Sequence, residues 1–186
     1  LHASPYVPML PELRDYAEAS LQDQRPLAEA AIDLMQRIHR DFLYAPASTD
    51  ISTPVLTVFA QRRGVCQDFA HLMLACLRAC GLAGRYVSGY LLTVPPPGEA
   101  PLVGADASHA WLSVWVPGLS LAGTDDWLDL DPTNACVPGL HHVRVAHGRD
   151  FGDVTPLRGV IRGGGDHTLL VRVTTRLLDE GVGEPA

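Results

Sequence analysis

The apolar pattern of this chain changes between Gly81 and Gly84. Before these glycines, apolar residues recur every three or four positions, which is the spacing of amphipathic helices. After them, short segments rich in Val, Leu, Tyr and Trp are separated by loops rich in Pro and Gly, which is typical of β-strands. Helices followed by consecutive strands predict an α+β fold with a mainly antiparallel sheet.

Four helices are expected in the first half of the chain. Thr53 is expected to cap the third, which Gly64 ends or redirects, and Gly81 is expected to stop the fourth. The fourth carries a wide apolar stripe, so we expect it to be the central buried helix on which the sheet packs. The expected helices cover residues 11–21, 26–42, 54–61 and 66–80.

Four strands are expected in the second half, followed by a loose tail at residues 180–186. The expected strands cover residues 85–94, 110–116, 127–130 and 169–177. A chain of 186 residues is long enough to bury one core but short for two domains of typical size. We therefore expect a single domain over residues 1–186.

Charge and hydropathy argue against two classes of partner. The 14 Lys and Arg against 21 Asp and Glu leave a net charge of −7 with no basic cluster, so no nucleic acid is expected. No apolar run approaches the roughly 20 residues that span a bilayer, so no membrane is expected either. The chain begins with Leu1 rather than Met, so we expect it to be a trimmed or processed part of a longer product.

The four cysteines do not form the dense disulfide framework of a small secreted protein, because a chain of this length needs no covalent staples. A reducing cytoplasm is therefore the expected location. Cys76 and Cys80 have no partner pair at metal-ligand spacing, so we interpret both as core residues. Neither a metal nor a cofactor is expected.

Cys66 is the candidate nucleophile, because it opens the fourth expected helix. A thiol attacks a carbonyl carbon as the thiolate, and the ordinary cysteine pKa of about 8.5 must be lowered for that. Unpaired backbone N–H groups and the positive end of the helix dipole would stabilise a thiolate and an oxyanion here. Gly64 would let the preceding backbone approach a bound acyl chain closely.

A base and a carboxylate are available on the expected strands. His109 can take the thiol proton, and a carboxylate that orients its imidazole completes the set that acyl transfer requires. Asp129 and Asp131 are two residues apart and point to the same face of a strand, so periodicity alone allows either. We choose Asp131 because it closes the strand directly before Pro132.

Six stretches resemble bacterial members of the transglutaminase-like superfamily, a branch of the papain-like cysteine enzymes. They are GVCQDFAH at residues 64–71, RACGL at 78–82, RYVSGY at 85–90, HAW at 109–111, DPTN at 131–134 and GRDFGDV at 148–154. The resemblance covers roughly residues 40–165. It implies a papain-like fold in which Cys66 is the nucleophile, His109 the general base and acid, and Asp131 the orienting carboxylate.

The resemblance also bears on substrate and partners. It implies a peptide or protein amide as substrate, and an N-terminal β-rich domain, which many bacterial relatives carry, as a partner within the full-length product. The calcium-dependent animal transglutaminases have Trp directly after the nucleophile, whereas this chain has Gln67. Their substrate tunnel and cross-linking activity are therefore not implied.

Further residues are candidates for lining the cleft around the triad. For Asp68 a helix-capping role is the alternative that we favour, and for Tyr90 the alternative is a place in the core. His141 and His142 are expected at the surface. The candidate lining residues are Gly64, Gln67, Asp68, Tyr90, Asp106, Ser108, Trp111 and Asn134.

Two functions of different classes remain open. The favoured one is a cysteine enzyme that forms a thioester with an amide and passes the acyl group to water or to an amine, with water favoured. The other is a binding or assembly module that keeps the fold while its chemistry is idle. Thiol reactivity separates them, because only an activated cysteine is alkylated rapidly well below about pH 8.

Overall fold

The computed structural model describes residues 2–92, 108–119, 125–155, 163 and 172–176. The helices are α1 Pro11–Glu18, α2 Leu27–Asp41, α3 Val55–Gln61 and α4 Cys66–Ala79. The strands are β1 Leu43–Tyr44, β2 Arg63–Gly64, β3 Gly84–Leu91, β4 Ser108–Trp115, β5 Trp127–Leu130 and β6 His142–Gly148. A 3-10 turn covers Phe151–Asp153. No helix in these ranges is long and apolar enough to cross a membrane.

Strands β3 to β6 form one antiparallel sheet in the order β5-β4-β3-β6. Helix α4 packs on β4 and β3, with α1, α2 and α3 around it. Leu112 and Leu130, which pair across β4 and β5, belong to the same core as the apolar side chains of α4. The predicted α+β fold with a central buried helix is confirmed.

The two layers approach closely where β3 begins. Gly84, the first residue of β3, lies beneath Leu74 of α4, so that a Cβ atom added to Gly84 would lie 2.6 Å from Leu74 Cδ2. Only a residue without a side chain fits at this distance.

The predicted end of α4 is confirmed. Helix α3 covers Val55–Gln61, within one residue of the expected 54–61, but the residues expected to cap and to end it are wrong. Gly81 has φ +78°, and the Leu82 N–H donates to the Leu77 carbonyl at 2.9 Å, which is the hydrogen bond of a glycine-terminated helix. Helix α3 ends instead at Arg62, which adopts the left-handed conformation with φ 54°. Thr53 does not cap α3, because its hydroxyl accepts a hydrogen bond from the Asp50 N–H.

The expected strand at 169–177 is replaced by β6. Of that stretch the structure describes only residues 172–176, and they form no strand. Strand β6 pairs with β3, while its Val143 and Val145 are 42% and 64% exposed. In sequence, the only large apolar residues of β6 are Val143 and Val145, which stand among histidine and arginine, so the segment is less apolar than the expected strands. The expected tail at 180–186 lies outside the described residues.

A short parallel pair, β1 with β2, leads the chain into α4. Leu43 N–H donates to the Arg62 carbonyl at 2.8 Å, and Ala45 N–H donates to the Gly64 carbonyl at 2.9 Å. This pairing places Tyr44 beside Gly64, two residues before the first residue of α4.

Candidate active site

The three predicted triad residues come from three different elements. Cys66 is the first residue of α4, His109 is the second residue of β4, and Asp131 directly follows β5. Strands β4 and β5 are antiparallel neighbours, with Leu112 opposite Leu130, so the end of β5 lies beside the beginning of β4. The fold therefore brings the imidazole and the carboxylate together.

His109 interacts with both of the other predicted triad residues. Its Nε2 donates to Asp131 Oδ2 at 2.7 Å, and it lines the same cleft as Cys66. Burial lowers the pKa of His109, but the hydrogen bond with Asp131 and the interaction with the Cys66 side chain outweigh burial and raise the pKa to about 9. Because an ionised carboxylate only accepts hydrogen bonds, the Nε2 atom carries a proton and Nδ1 is left for the thiol.

Asp131 is fully buried and accepts hydrogen bonds on both oxygens. Its Oδ1 accepts the backbone N–H groups of Thr133 and Asn134 at 2.9 and 3.2 Å. Its Oδ2 accepts from His109, from Asn134 Nδ2 at 2.7 Å and from His142 Nε2 at 3.0 Å. Burial raises the pKa of Asp131, but these hydrogen bonds, that of His109 first, lower it to about 2. The carboxylate is therefore ionised at neutral pH.

The neighbouring aspartate has other partners. Asp129 accepts hydrogen bonds from Trp111 Nε1 at 3.3 Å and Ser113 Oγ at 2.5 Å, and it is paired with the guanidinium of Arg144. Of the two carboxylates that periodicity allowed, the structure brings Asp131 to His109. The reason lies in the turn after β5, because its backbone N–H groups fix the Asp131 carboxylate.

The first turn of α4 is held by Asp68. Its Oδ2 accepts the Val65 N–H at 2.8 Å and the Thr49 hydroxyl at 2.6 Å, so the favoured capping role agrees with the structure. Burial raises the pKa of Asp68. Gly64 is buried, and a Cβ atom there would lie 2.8 Å from both Cβ and Oδ2 of Asp68. Gly64 therefore makes room for this carboxylate, and its close approach to a bound acyl chain stays a prediction.

A cleft of about 300 Å³ lies beside the thiol. Ser108 and Asn134 line it as predicted, and the sequence missed Tyr44, Leu91 and Thr133. Tyr44 reaches the cleft through the β1–β2 pairing, which no sequence pattern revealed. The lining residues are Tyr44, Cys66, Leu91, Ser108, His109, Thr133 and Asn134.

Three other predicted lining residues, Gln67, Tyr90 and Trp111, are not among the residues that line this cleft. Trp111 is 1% exposed, and its ring stacks on that of His109 with 6.1 Å between centroids, so it supports the imidazole from within the protein. Gln67 and Tyr90 are half-buried, and Leu91 rather than Tyr90 reaches the cleft. Asp106 lies outside the described residues.

The expectation that His142 lies at the surface is wrong. Its side chain is 8% exposed and its Nε2 lies 3.0 Å from Asp131 Oδ2, whereas His141 is exposed. Like His109, His142 stands at the beginning of a strand. This shared position could have indicated from sequence that His142 lies near Asp131. The inference would have required the prediction of β6, which the sequence analysis missed.

His109, Asp131 and His142 also offer ligand atoms that all lie within 4.8 Å of one another. The set fits a hydrogen-bonded carboxylate better than a metal site. Asp131 Oδ2 already accepts three hydrogen bonds, at distances of 2.7 to 3.0 Å, which are those of hydrogen bonds between heavy atoms. Both imidazoles would have to lose the Nε2 protons that they donate to Asp131 before these nitrogens could bind an ion.

The chain is similar to several known proteins. A family model described as the transglutaminase-like superfamily matches residues 14–132. An uncharacterised protein of Mycobacterium tuberculosis is 53% identical over 149 residues, which cover 80% of this chain and 47% of the relative. The chain thus spans about half the length of that relative.

Two further similarities concern proteins with a stated activity. A Pseudomonas aeruginosa protein named protein-glutamine gamma-glutamyltransferase is 32% identical over 117 residues, which cover 61% of this chain and 17% of that protein. A crystal structure from Cytophaga hutchinsonii, provisionally described as a cysteine protease, superposes with a TM-score of 0.66 at 26% identity. The match covers 83% of this chain and 47% of that one.

Proposed function

Because the chain belongs to the transglutaminase-like superfamily, we propose that it is a cysteine enzyme that cleaves or transfers amides through a thioester on Cys66. The observation that carries the proposal is the position of His109, which is hydrogen-bonded to the buried Asp131 and lines the same cleft as Cys66. A thiol, a base within its reach and a carboxylate that orients the base are the parts that covalent acyl transfer needs.

In the first half of the reaction, the thiol proton passes from Cys66 to His109 Nδ1, because the raised pKa of His109 favours the imidazolium. Cys66 Sγ then attacks the amide carbonyl carbon as the thiolate. Backbone N–H groups at the beginning of α4 donate to the oxyanion that forms. When this intermediate collapses, the carbon–nitrogen bond breaks and the imidazolium gives its proton to the departing amine. The acyl group remains on Cys66 as a thioester.

In the second half, water attacks the thioester carbon and His109 takes a proton from it. The carbon–sulfur bond then breaks, the proton passes to the sulfur, and a carboxylic acid leaves. We favour water over an amine as acceptor because the cleft is open to solvent beside Tyr44 and Ser108, which are both exposed. The description of the Cytophaga relative agrees with hydrolysis, whereas the name of the Pseudomonas relative agrees with an amine acceptor.

The proposed substrate is a peptide or protein amide. Since the chain spans about half of its mycobacterial relative, we also propose that segments present in the longer relatives, such as a β-rich domain, supply further substrate contacts. A cytoplasmic location and a single domain over residues 1–186 stay predictions.

The test is to trap the acyl-enzyme. The protein is mixed with a panel of blocked glutaminyl and asparaginyl peptides and short polypeptides, with and without a primary amine, and quenched for intact-mass analysis and peptide mapping. The acyl adduct should map to Cys66, disappear in Cys66→Ala and persist in Cys136→Ala, whose thiol is also half-buried. The added amine reports the acceptor, because it appears in the product only when it competes with water.

The enzymatic proposal would be contradicted if no member of the panel formed an adduct and iodoacetamide also alkylated Cys66 no faster than Cys136. The two results together would favour a binding or assembly module without catalytic activity.

A further inference from the structure

Asp131 serves two imidazoles. His109 and His142 both donate through Nε2 to the same carboxylate oxygen, at 2.7 and 3.0 Å. All three side chains are nearly closed to solvent, with exposures of 6% for His109, 8% for His142 and 0% for Asp131. The proposed reaction uses only His109, and it gives His142 no role.

The His142 ring also contacts the aromatic support of His109. It packs edge-on against Trp111, with 5.3 Å between centroids and an interplanar angle of 84°. Trp111 in turn stacks on His109 at 29°, and the two histidine rings lie 6.0 Å apart. Glycine at position 89 allows this packing, because a Cβ atom there would lie 2.6 Å from the Trp111 ring. The three rings thus form one buried cluster around the carboxylate.

We propose that His142 is a positioning residue that holds the Asp131 carboxylate in the orientation that His109 requires. The inference rests on the proposed function, and it adds a residue to that site which the sequence placed at the surface. His142 occupies one of the hydrogen-bonding directions of Oδ2, and Asn134 Nδ2 occupies another at 2.7 Å. The remaining direction is the one toward His109 Nε2.

The hydrogen bond, rather than the ring alone, is the feature that performs this role. Buried carboxylates are held most firmly by several donors, and an oxygen that loses one of them rotates or recruits water. If Asp131 rotated away from His109, the proton on Nε2 would lose its acceptor and Nδ1 would no longer be kept free for the thiol. His142 therefore acts on Cys66 through two intermediaries and need not touch the substrate.

Two substitutions separate the hydrogen bond from the ring. His142→Gln keeps a donor nitrogen the same number of bonds from the backbone as Nε2 but loses the ring. His142→Phe keeps a ring against Trp111 but has no donor. His147→Phe is the matched control, because His147 is an exposed histidine of the same strand. The readout is the rate at which iodoacetamide alkylates Cys66 at pH 6, with circular dichroism as the check on folding.

We expect His142→Phe to lower this rate roughly tenfold, the lower end of the range when an imidazole loses an orienting partner. His142→Gln should retain the rate within about twofold, as should His147→Phe. Equal rates in His142→Phe and the wild type would overturn the proposal. So would equal losses in the Phe and Gln variants, because the hydrogen bond would then not be the cause.

A second measurement needs no variant that could fail to fold. Imidazole nitrogen NMR of the wild-type protein at neutral pH should show the His142 proton on Nε2, and a proton on Nδ1 alone would overturn the proposal. Failure of the enzymatic proposal looks different, because wild-type Cys66 would then be alkylated no faster than Cys136. In that case the positioning role falls with it.

Discussion

Replacing Asp131 by asparagine should disable the site while leaving the chain folded. The substitution removes one charge and barely changes shape. The pKa of His109 is about 9 against an ordinary value of 6.5, which corresponds to roughly 3 kcal/mol in favour of the imidazolium. Asp131 supplies the larger share of this stabilisation, with Cys66 next.

The geometry adds a second loss. Both oxygens of the carboxylate face only donors, which are backbone N–H groups on one side and His109, Asn134 and His142 on the other. The asparagine side chain has one oxygen and one NH₂ group, so its NH₂ group must face one of these two sets of donors. If NH₂ faces His109, the imidazole has to accept on Nε2 and its proton moves to Nδ1, where it blocks proton transfer from the thiol.

We therefore expect Asp131→Asn to lower turnover by about 10³- to 10⁴-fold, the scale on which a serine-protease triad loses rate after the same substitution. Alkylation of Cys66 by iodoacetamide at pH 6 should fall at least roughly tenfold. Asp129→Asn is the control and should lower either rate less than about tenfold, since Asp129 contacts Trp111, Ser113 and Arg144. A larger loss in the Asp129 variant would refute the reasoning, as would an Asp131 variant that keeps the wild-type rate.

The pH dependence of the free energy of unfolding tests the interaction between His109 and Asp131 independently of catalysis. A histidine whose pKa is raised on folding stabilises the protein fully below its ordinary pKa, and this stabilisation is lost as the pH rises through the folded value. For His109 the window runs from about pH 6.5 to about pH 9. The wild-type free energy of unfolding should fall by up to roughly 3 kcal/mol across it. Urea titrations should show a smaller fall in Asp131→Asn.

Four further outcomes are expected. Iodoacetamide at neutral pH should label Cys66 before the other three cysteines, whose pKa values burial raises, and peptide mapping that finds equal labelling would contradict this. EDTA should leave turnover unchanged; a loss that calcium or zinc restores would argue for a metal. His71 is buried, and burial lowers its pKa to about 4. Urea titrations should therefore show the free energy of unfolding falling by up to roughly 3 kcal/mol as the pH drops from about 6.5 to about 4. The fall should be much smaller in His71→Gln. Gly64→Ala should cost roughly 1 to 3 kcal/mol in thermal or urea unfolding because its Cβ would contact Asp68 at 2.8 Å, whereas Gly139→Ala, with open space around it, should be near neutral.

The sequence predicted the features that depend on local pattern. The apolar stripe and the terminating Gly81 identified α4, and the spacing of Asp129 and Asp131 narrowed the carboxylate to two candidates. It did not predict β6, whose only large apolar residues, Val143 and Val145, stand among histidine and arginine.

The missed site residues depend on contacts between distant segments. His142 meets Asp131 only after β6 pairs with β3, and Tyr44 meets Cys66 only through the β1–β2 pairing. The contact between Gly64 and Asp68 was also missed. Asp68 folds back to the Val65 N–H and lies against Gly64, so a glycine is needed there for the carboxylate.

The close contact between Gly84 and Leu74 ties the reactive thiol to a distant point of the fold. Cys66 belongs to helix α4, whereas His109 and Asp131 belong to the sheet. The distance between the thiol and the imidazole therefore depends on how the helix packs on the sheet. Leu74 lies eight residues beyond Cys66, which is about 12 Å along α4. A methyl group at position 84 would force either the Leu74 side chain or the helix itself to move. If the helix moves, the reactivity of the thiol reports how closely the two layers pack at a point far from the site.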